Sequence, residues 1–187
     1  MVQILAHGAT DVGRKRDHNE DRVVCDAELG LYVVCDGMGG HAAGEVAAEM
    51  VCDALVRAIS HARSGEALDH PERESERLGD ALEQAMLAAN KEVHDYGQSK
   101  GHARGMGTTA TAVVVHQSYA TVCHIGDSRC YLVRDNRLYQ LSDDHSWVAE
   151  MVRLGRMTEA EAQRSPQRNL LVRSVGGDAV RSQGRVG

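Results

Sequence analysis

The chain has no phenylalanine, one tryptophan and two prolines in 187 residues. A core without large aromatics has to be built from Ala, Val, Leu and Ile. No apolar run approaches the length needed to span a bilayer. Nor is there a positive excess. The net charge is −6, with arginines scattered rather than striped, which argues against nucleic-acid binding. The start, MVQILAHGATD, lacks a basic flank followed by an apolar stretch, so no signal peptide is expected. The five cysteines, Cys25, Cys35, Cys52, Cys123 and Cys130, form no CxxC pair. An odd, unpatterned set points to reduced thiols and a cytoplasmic location.

The length suits one domain with a real core. Residues 22–26 and 31–36 read as two strands about a turn at Gly30, and LYVVCD is continuously apolar, as a buried strand is. Apolar residues at Val46, Ala47, Met50, Val51, Ala54, Leu55, Ala58 and Ile59 make one helical stripe over 42–62. The polar stretch 64–75 reads as an exposed linker. A second helix carries Leu78, Ala81, Leu82, Ala85, Met86, Ala89 and Val93. Strands return at 108–115, 119–125, 130–134 and 137–141, the last two about the hairpin turn Asp135-Asn136. Short helices are expected over 147–154 and 159–163, with Thr158 and Glu161 forming a capping box. Strands in runs and helices in pairs argue α+β with antiparallel sheets.

The chemistry begins at VVCDGMGGHAAGE. A carboxylate at the end of a buried strand is costly unless a cation compensates it. Hard divalent cations take carboxylate, carbonyl and water oxygens. Asp36 could supply both its oxygens to them, and Gly37 its carbonyl, with glycine leaving room for the ion and substrate. TDVGRKRDHNEDR (10–22) adds Glu20 and Asp21 at the start of the neighbouring strand, and Arg16, a planar donor suited to phosphate. HIGDSR (124–129) repeats the pattern of apolar strand, Gly126, then Asp127. Acids at three strand ends beside an arginine suggest metal-assisted chemistry on a phosphate ester.

Plainer readings stand beside these. Asp36 before a glycine could cap a turn. Glu20 and Asp21 could be solvated edge charges. Arg16 lies in a basic run, and Asp127 could simply open a hairpin. Gly39 and Gly44 have phosphate-loop spacing, but Glu45 stands where that loop needs lysine, so a nucleotide loop is rejected. His102, His116 and His124 are not read as zinc ligands. The GTT of 107–109 is given no catalytic role.

Taken in order, TDVGRKRDHNEDR, VVCDGMGGHAAGE, GMGTTATAVVV, HIGDSRCYLVRD, LSDDHS and RNLLVRSVGG resemble the metal-dependent protein serine/threonine phosphatases of the protein phosphatase 2C (PPM) type, in their bacterial style. The resemblance covers almost the whole chain. It implies a sandwich of two antiparallel β-sheets flanked by helices, and a binuclear Mn²⁺ or Mg²⁺ centre with a possible third ion. By position, Asp36 bridges two ions, Gly37 gives a carbonyl and Asp21 serves the second ion. Glu20 ligates or orients water, Asp127 matches the third ion, and Arg16 binds phosphate. The reaction implied is hydrolysis of phosphoserine and phosphothreonine in proteins by a metal-activated water, counteracting a serine/threonine kinase. Met38 stands where some relatives place a histidine, and His41 is the nearest candidate general acid. Residues 145–168 resemble the family's flap.

Two further family aspartates, one in a Ser-Asp-Gly context and one in an Asp-Asn pair near the domain's end, have no match before Gly187; Asp178 fits neither. The expectation is a single domain over 1–187 that is incomplete at its C-terminus, lacks its last strands and ends in a disordered tail over 176–187. That keeps open a catalytically weak or inactive fragment acting as a phosphoprotein-binding module. Partners are then phosphorylated proteins, with neither nucleic acid nor membrane involved, and the chain is expected to be a monomer.

Overall fold

The structure is a computed structural model that describes residues 3–39, 43–65 and 68–177. Strands β1 (Asp21–Asp26) and β2 (Leu31–Met38) are followed by helices α1 (Ala43–Ser64) and α2 (Pro71–Ser99). Then come β3 (Gly107–Thr108), β4 (Ala110–His116), β5 (Tyr119–Ile125), β6 (Tyr131–Arg134) and β7 (Arg137–Gln140), and helices α3 (Trp147–Arg153) and α4 (Glu159–Arg164). The main antiparallel sheet runs β1-β2-β4-β5, with β3 paired to the end of β2, and β6-β7 form a separate two-stranded sheet. The architecture is α+β.

Strand alternation decides what faces what. Leu31, Val33 and Cys35 of β2 and Ala110, Ala112 and Val114 of β4 are buried on one face. Both long helices cover that face. From α1 come Ala47, Ala48, Val51, Cys52, Leu55 and Ile59, and from α2 Leu78, Leu82, Met86, Ala89 and Val93. Small β4 alanines let the helices approach closely, which suits a core without phenylalanine. On α1 the fully buried stripe is turned slightly from the expected one: Ala48 and Cys52 are buried, while Val46, Met50 and Ala54 are partly buried. Tyr32, Val34 and Asp36 alternate onto the opposite face, where Val34 is 46% exposed.

Two boundaries differ from the sequence reading. β2 does not stop at Asp36; it continues through Gly37 and Met38, which pair with Thr108 and Gly107. The expected linker over 64–75 is mostly helix. α2 starts at Pro71, in the first-turn position that proline favours, and Glu74 and Ser75 are buried. A polar residue buries here because it is partnered: Glu74 accepts from Arg77 Nε at 3.0 Å and Nη2 at 2.5 Å. Ser75 Oγ lies 2.9 Å from Thr121 Oγ1. Hydropathy alone cannot show such pairing.

Local signals held their places. Asp135 and Asn136 both have positive φ, 50° and 58°, as a two-residue hairpin turn requires. Thr158 and Glu161 close both halves of the capping box. The segment carrying α3 and α4 is closed at its base by the bridge Ser146–Leu171, and beyond it Val175 bridges to Thr108. Of the expected tail, Gly176 donates its N–H to Asn90 Oδ1 at 2.6 Å; residues 178–187, Asp178 included, lie outside the described residues.

Arg77 holds the Glu74 carboxyl below its usual range, chiefly by hydrogen bonding and against the cost of burial. A lowered carboxylate pKa stabilises the fold above the unfolded-state value, near 4.3, and that contribution fades as pH falls through the folded value. Glu74→Gln is therefore expected to lower the melting temperature by several degrees at neutral pH and by much less at about pH 3. Thermal denaturation at both pH values checks this; equal losses at both would contradict it.

Candidate metal centre

Antiparallel pairing puts Asp21 of β1 directly opposite Asp36 of β2. Cross-strand partners share a face, here the one turned away from the helices. The two carboxyl groups therefore interact across the strand pair. Like charges so placed disfavour a second ionisation. The Asp36 pKa is raised accordingly: by partial burial first, then by Asp21, then by Asp127, with Arg16 pulling the other way. The structure thus brings Asp21, Asp36, Asp127 and Arg16 into one electrostatic neighbourhood.

Glu20 sits differently. Its Oε2 accepts from Arg16 Nη1 at 3.3 Å, and its Oε1 lies 2.8 Å from where a Cβ on Gly44 would stand. The carboxylate faces the start of α1 and steadies Arg16, whose side chain is 65% exposed. Gly37 and Gly44 mark a close backbone crossing. A Cβ on Gly37 would fall 2.2 Å from the Gly44 carbonyl oxygen and 2.5 Å from that of Glu20. The crossing itself requires glycine, whatever an ion needs. His41, the candidate acid, lies outside the described residues.

The Asp127 loop is fixed by Gly126, Thr109 and His145. Gly126 has φ +115°, and a Cβ there would meet Thr109 Cγ2 at 2.5 Å. Buried Thr109 accepts from the Asp36 N–H at 3.0 Å, donates its own N–H to the Asp36 carbonyl at 2.9 Å, and its hydroxyl lies 2.8 Å from Ser128 Oγ. It links the strand bearing Asp36 to the loop bearing Asp127. His145 completes the support: its ring Nδ1 accepts from the Gly126 N–H at 3.1 Å, and its backbone N–H donates to the Gly126 carbonyl at 2.7 Å. Burial, His124 and Arg173 push His145 down to about 4, so it is a neutral acceptor at physiological pH. Its ring stacks on His124 at 5.0 Å. Burial and Asp144 raise the Asp127 pKa, against Arg129 and His124. Asp144 itself is bound by Arg129 through Nε and Nη2 at 2.8 and 2.7 Å.

Beside Asp127 opens a cavity of about 670 Å³, between the β6-β7 sheet and the short helices, with Arg129, Asp144, Ser146, Arg153 and Arg168 on its walls. Among the described residues no three His, Cys, Asp or Glu side chains gather tightly enough to hold an ion by themselves. The convergent pair is Asp21 and Asp36. Two crowded carboxylates and neighbouring backbone oxygens, with no thiolate or imidazole among them, fit a hard divalent cation completed by water. Thr109 left no trace in local pattern, because its partner Asp36 is 73 positions away.

In the metal-free chain, Asp36 is expected to titrate above the ordinary carboxylate range, and Asp21→Asn to bring it back down by removing one like charge. Carboxyl-carbon NMR measures both. An Asp36 value that Asp21→Asn leaves unmoved contradicts the crowding.

A family model described as protein phosphatase 2C matches residues 13–180. The serine/threonine phosphatase stp of Listeria monocytogenes is 38% identical over 171 residues, covering 89% of this chain and 65% of its own length. Protein phosphatase PhpP of Streptococcus pneumoniae is 37% identical over 170 residues, with the same coverage. The chain thus spans 65% of the length of these curated relatives. Among solved structures, the Streptococcus agalactiae serine/threonine phosphatase superposes with a TM-score of 0.81 at 32% identity, covering 95% of this chain and 72% of that one. The Mycobacterium tuberculosis phosphatase PstP/Ppp gives 0.75 at 36% identity, covering 91% and 67%. Another structure, of the PstP catalytic domain in complex with two manganese ions, gives 0.70 at 34% identity, covering 91% and 66%. With the family model spanning nearly the whole described chain, and these relatives sharing both sequence and fold, the chain belongs to the protein phosphatase 2C family.

Proposed function

We propose that this chain takes part in metal-dependent hydrolysis of phosphoserine and phosphothreonine in proteins. The observation that carries the reading is the Asp21–Asp36 pair: two carboxylates set opposite each other on one sheet face, with the Asp36 pKa raised by burial and by Asp21. Such crowding is relieved by a divalent cation. The manganese-bound relative supports Mn²⁺ as one such cation, with Mg²⁺ the alternative of the same oxygen preference.

Asp36 and Asp21 would hold a binuclear pair together with the Gly37 carbonyl, and Asp127 would serve a third ion. Bound there, divalent ions supply charge neutralisation on phosphoryl oxygens and a lowered pKa for water. The rest falls to the chain's own groups. Arg16 offers two parallel donors to phosphate oxygens, and Glu20 keeps that guanidinium near Asp36. His41, four residues past Gly37 in the chain, supplies a proton to the departing serine or threonine oxygen. The helical segment over 145–168 borders the cavity beside Asp127 and acts as the flap that meets the substrate protein. Its anchored base lets α3 and α4 shape that cavity.

The substrate class places the chain opposite a serine/threonine kinase. No helix of the described residues is long and apolar enough to cross a membrane. The described cysteines are all free thiols, which suits a reducing compartment such as the cytoplasm. A monomer satisfies this reading.

Hydrolysis of a phosphothreonine peptide with Mn²⁺ tests it. Asp36→Asn is expected to lower kcat/KM on the order of 100-fold or more. Arg16→Ala is expected to act mainly through substrate affinity, by about 10-fold. His41→Ala should slow the peptide far more than p-nitrophenyl phosphate, whose leaving group needs no proton. Peptide binding that needs Arg16 without any Mn²⁺-dependent turnover would contradict the proposal.

A further inference from the structure

Cys35 and Cys52 have no part in the site described above. Cys35 is the β2 residue before Asp36 and points to the helix-covered face, fully buried; Cys52 lies on the core side of α1 and is 6% exposed. Their sulfurs are 3.7 Å apart, and the two positions are 17 residues apart in the chain. A disulfide needs about 2.05 Å between sulfurs, so roughly 1.7 Å of approach separates this dithiol from the bonded state. What rotation of the two side chains does not take up falls on β2 and α1, which have little room to yield near their crossing. Just past Cys35, β2 and α1 already meet backbone to backbone at Gly37 and Gly44, where there is no room for a methyl group. Drawing α1 onto β2 at Cys35 therefore pivots the strand about that crossing, and Asp36 lies between the two points.

We propose that Cys35 and Cys52 form a peroxide-oxidisable dithiol whose disulfide displaces Asp36 and weakens divalent-cation binding. Cys52, the more exposed of the two residues, reacts first. Its thiolate attacks one oxygen of a hydroperoxide, the O–O bond breaks, and hydrogen peroxide leaves one oxygen as water and the other on sulfur as sulfenic acid. The Cys35 sulfur then attacks the Cys52 sulfur, the S–O bond breaks, and the hydroxyl leaves with the Cys35 proton as a second water. Two thiols lose two electrons, and the peroxide is reduced to two waters. A dithiol restores the pair by exchange. The bond itself does not depend on the phosphatase reading; the loss of cation affinity rests on it.

The intact reduced chain is treated with hydrogen peroxide, the remaining thiols are alkylated in denaturant, and the protein is cleaved before aspartates without reductant. Cleavage at Asp26, Asp36 and Asp53 separates the two cysteines into peptides 26–35 and 36–52. Mass spectrometry is expected to find these peptides joined, two hydrogens lighter, and parted by dithiothreitol. The Mn²⁺ dissociation constant of the oxidised chain is expected to rise about 10-fold, the scale of losing a ligand's support, and to recover with dithiothreitol. Cys52→Ala treated with peroxide should keep its Mn²⁺ affinity. Recovery of both cysteines alkylated, or of Cys52 as sulfinic acid with Cys35 free, overturns the proposal. A mapped disulfide with unchanged Mn²⁺ affinity overturns the displacement of Asp36. Should the reduced chain bind no Mn²⁺ at all, it is the phosphatase reading that fails, and the peptide map still decides the disulfide.

Discussion

Two carboxylates placed face to face across an antiparallel pair of strands are the constraint on which the rest of this molecule turns. The β1-β2 register sets Asp21 against Asp36, and burial first, then the charges of Asp21 and Asp127, keep the Asp36 pKa raised although Arg16 opposes them. A fold tolerates such a pair when the rest of the structure over-determines it. Here the opposite face of β2 is locked into the core through Leu31, Val33 and Cys35. Thr109 grips the Asp36 backbone from the next strand on both its N–H and its carbonyl. The acid pair is held in place by packing on one face and hydrogen bonds along the edge.

The surroundings follow from that pair. Glycines at 37 and 44 let β2 and α1 cross at backbone contact, which brings the start of α1, Glu20 and Arg16 close to the acid pair. The loop carrying Asp127 joins the same neighbourhood through Thr109 and Ser128 on one side and neutral His145 on the other. His145 also begins the segment that carries α3 and α4, so the walls of the cavity beside Asp127 and the position of Asp127 share one support. The acid pair, Arg16 and the cavity beside Asp127 thus gather around one end of the main sheet, with Arg16 and Asp127 carried on the segments that lead into β1 and out of β5.

How much of this could be read without coordinates depended on distance along the chain. Turns, caps and periodic faces are local: Asp135-Asn136, the Thr158–Glu161 box and the α2 stripe all lie where the pattern put them. The pairing of Asp21 with Asp36 was legible because one short turn joins their strands and fixes which residues meet. Thr109, by contrast, contacts Asp36 across 73 positions, and nothing local distinguishes it from a packing threonine. Glu74 looked like linker because its burial depends on Arg77 and on the end of α1. Gly37 was read as room for an ion, whereas the structure shows it first as room for another stretch of backbone. The Glu20 carboxylate also accepts from Arg16, a contact that the chain spacing alone does not announce.

The central claim is that Asp21 and Asp36 share one seat for a divalent cation. Isothermal titration of Mn²⁺ into the metal-free chain, into Asp21→Asn and into Asp36→Asn tests it most directly. The account predicts saturable binding to the unsubstituted chain, and a loss of affinity of at least about 10-fold for each substitution taken alone. An isotherm that Asp21→Asn leaves unchanged would show that the two acids do not serve the same ion, and would contradict it.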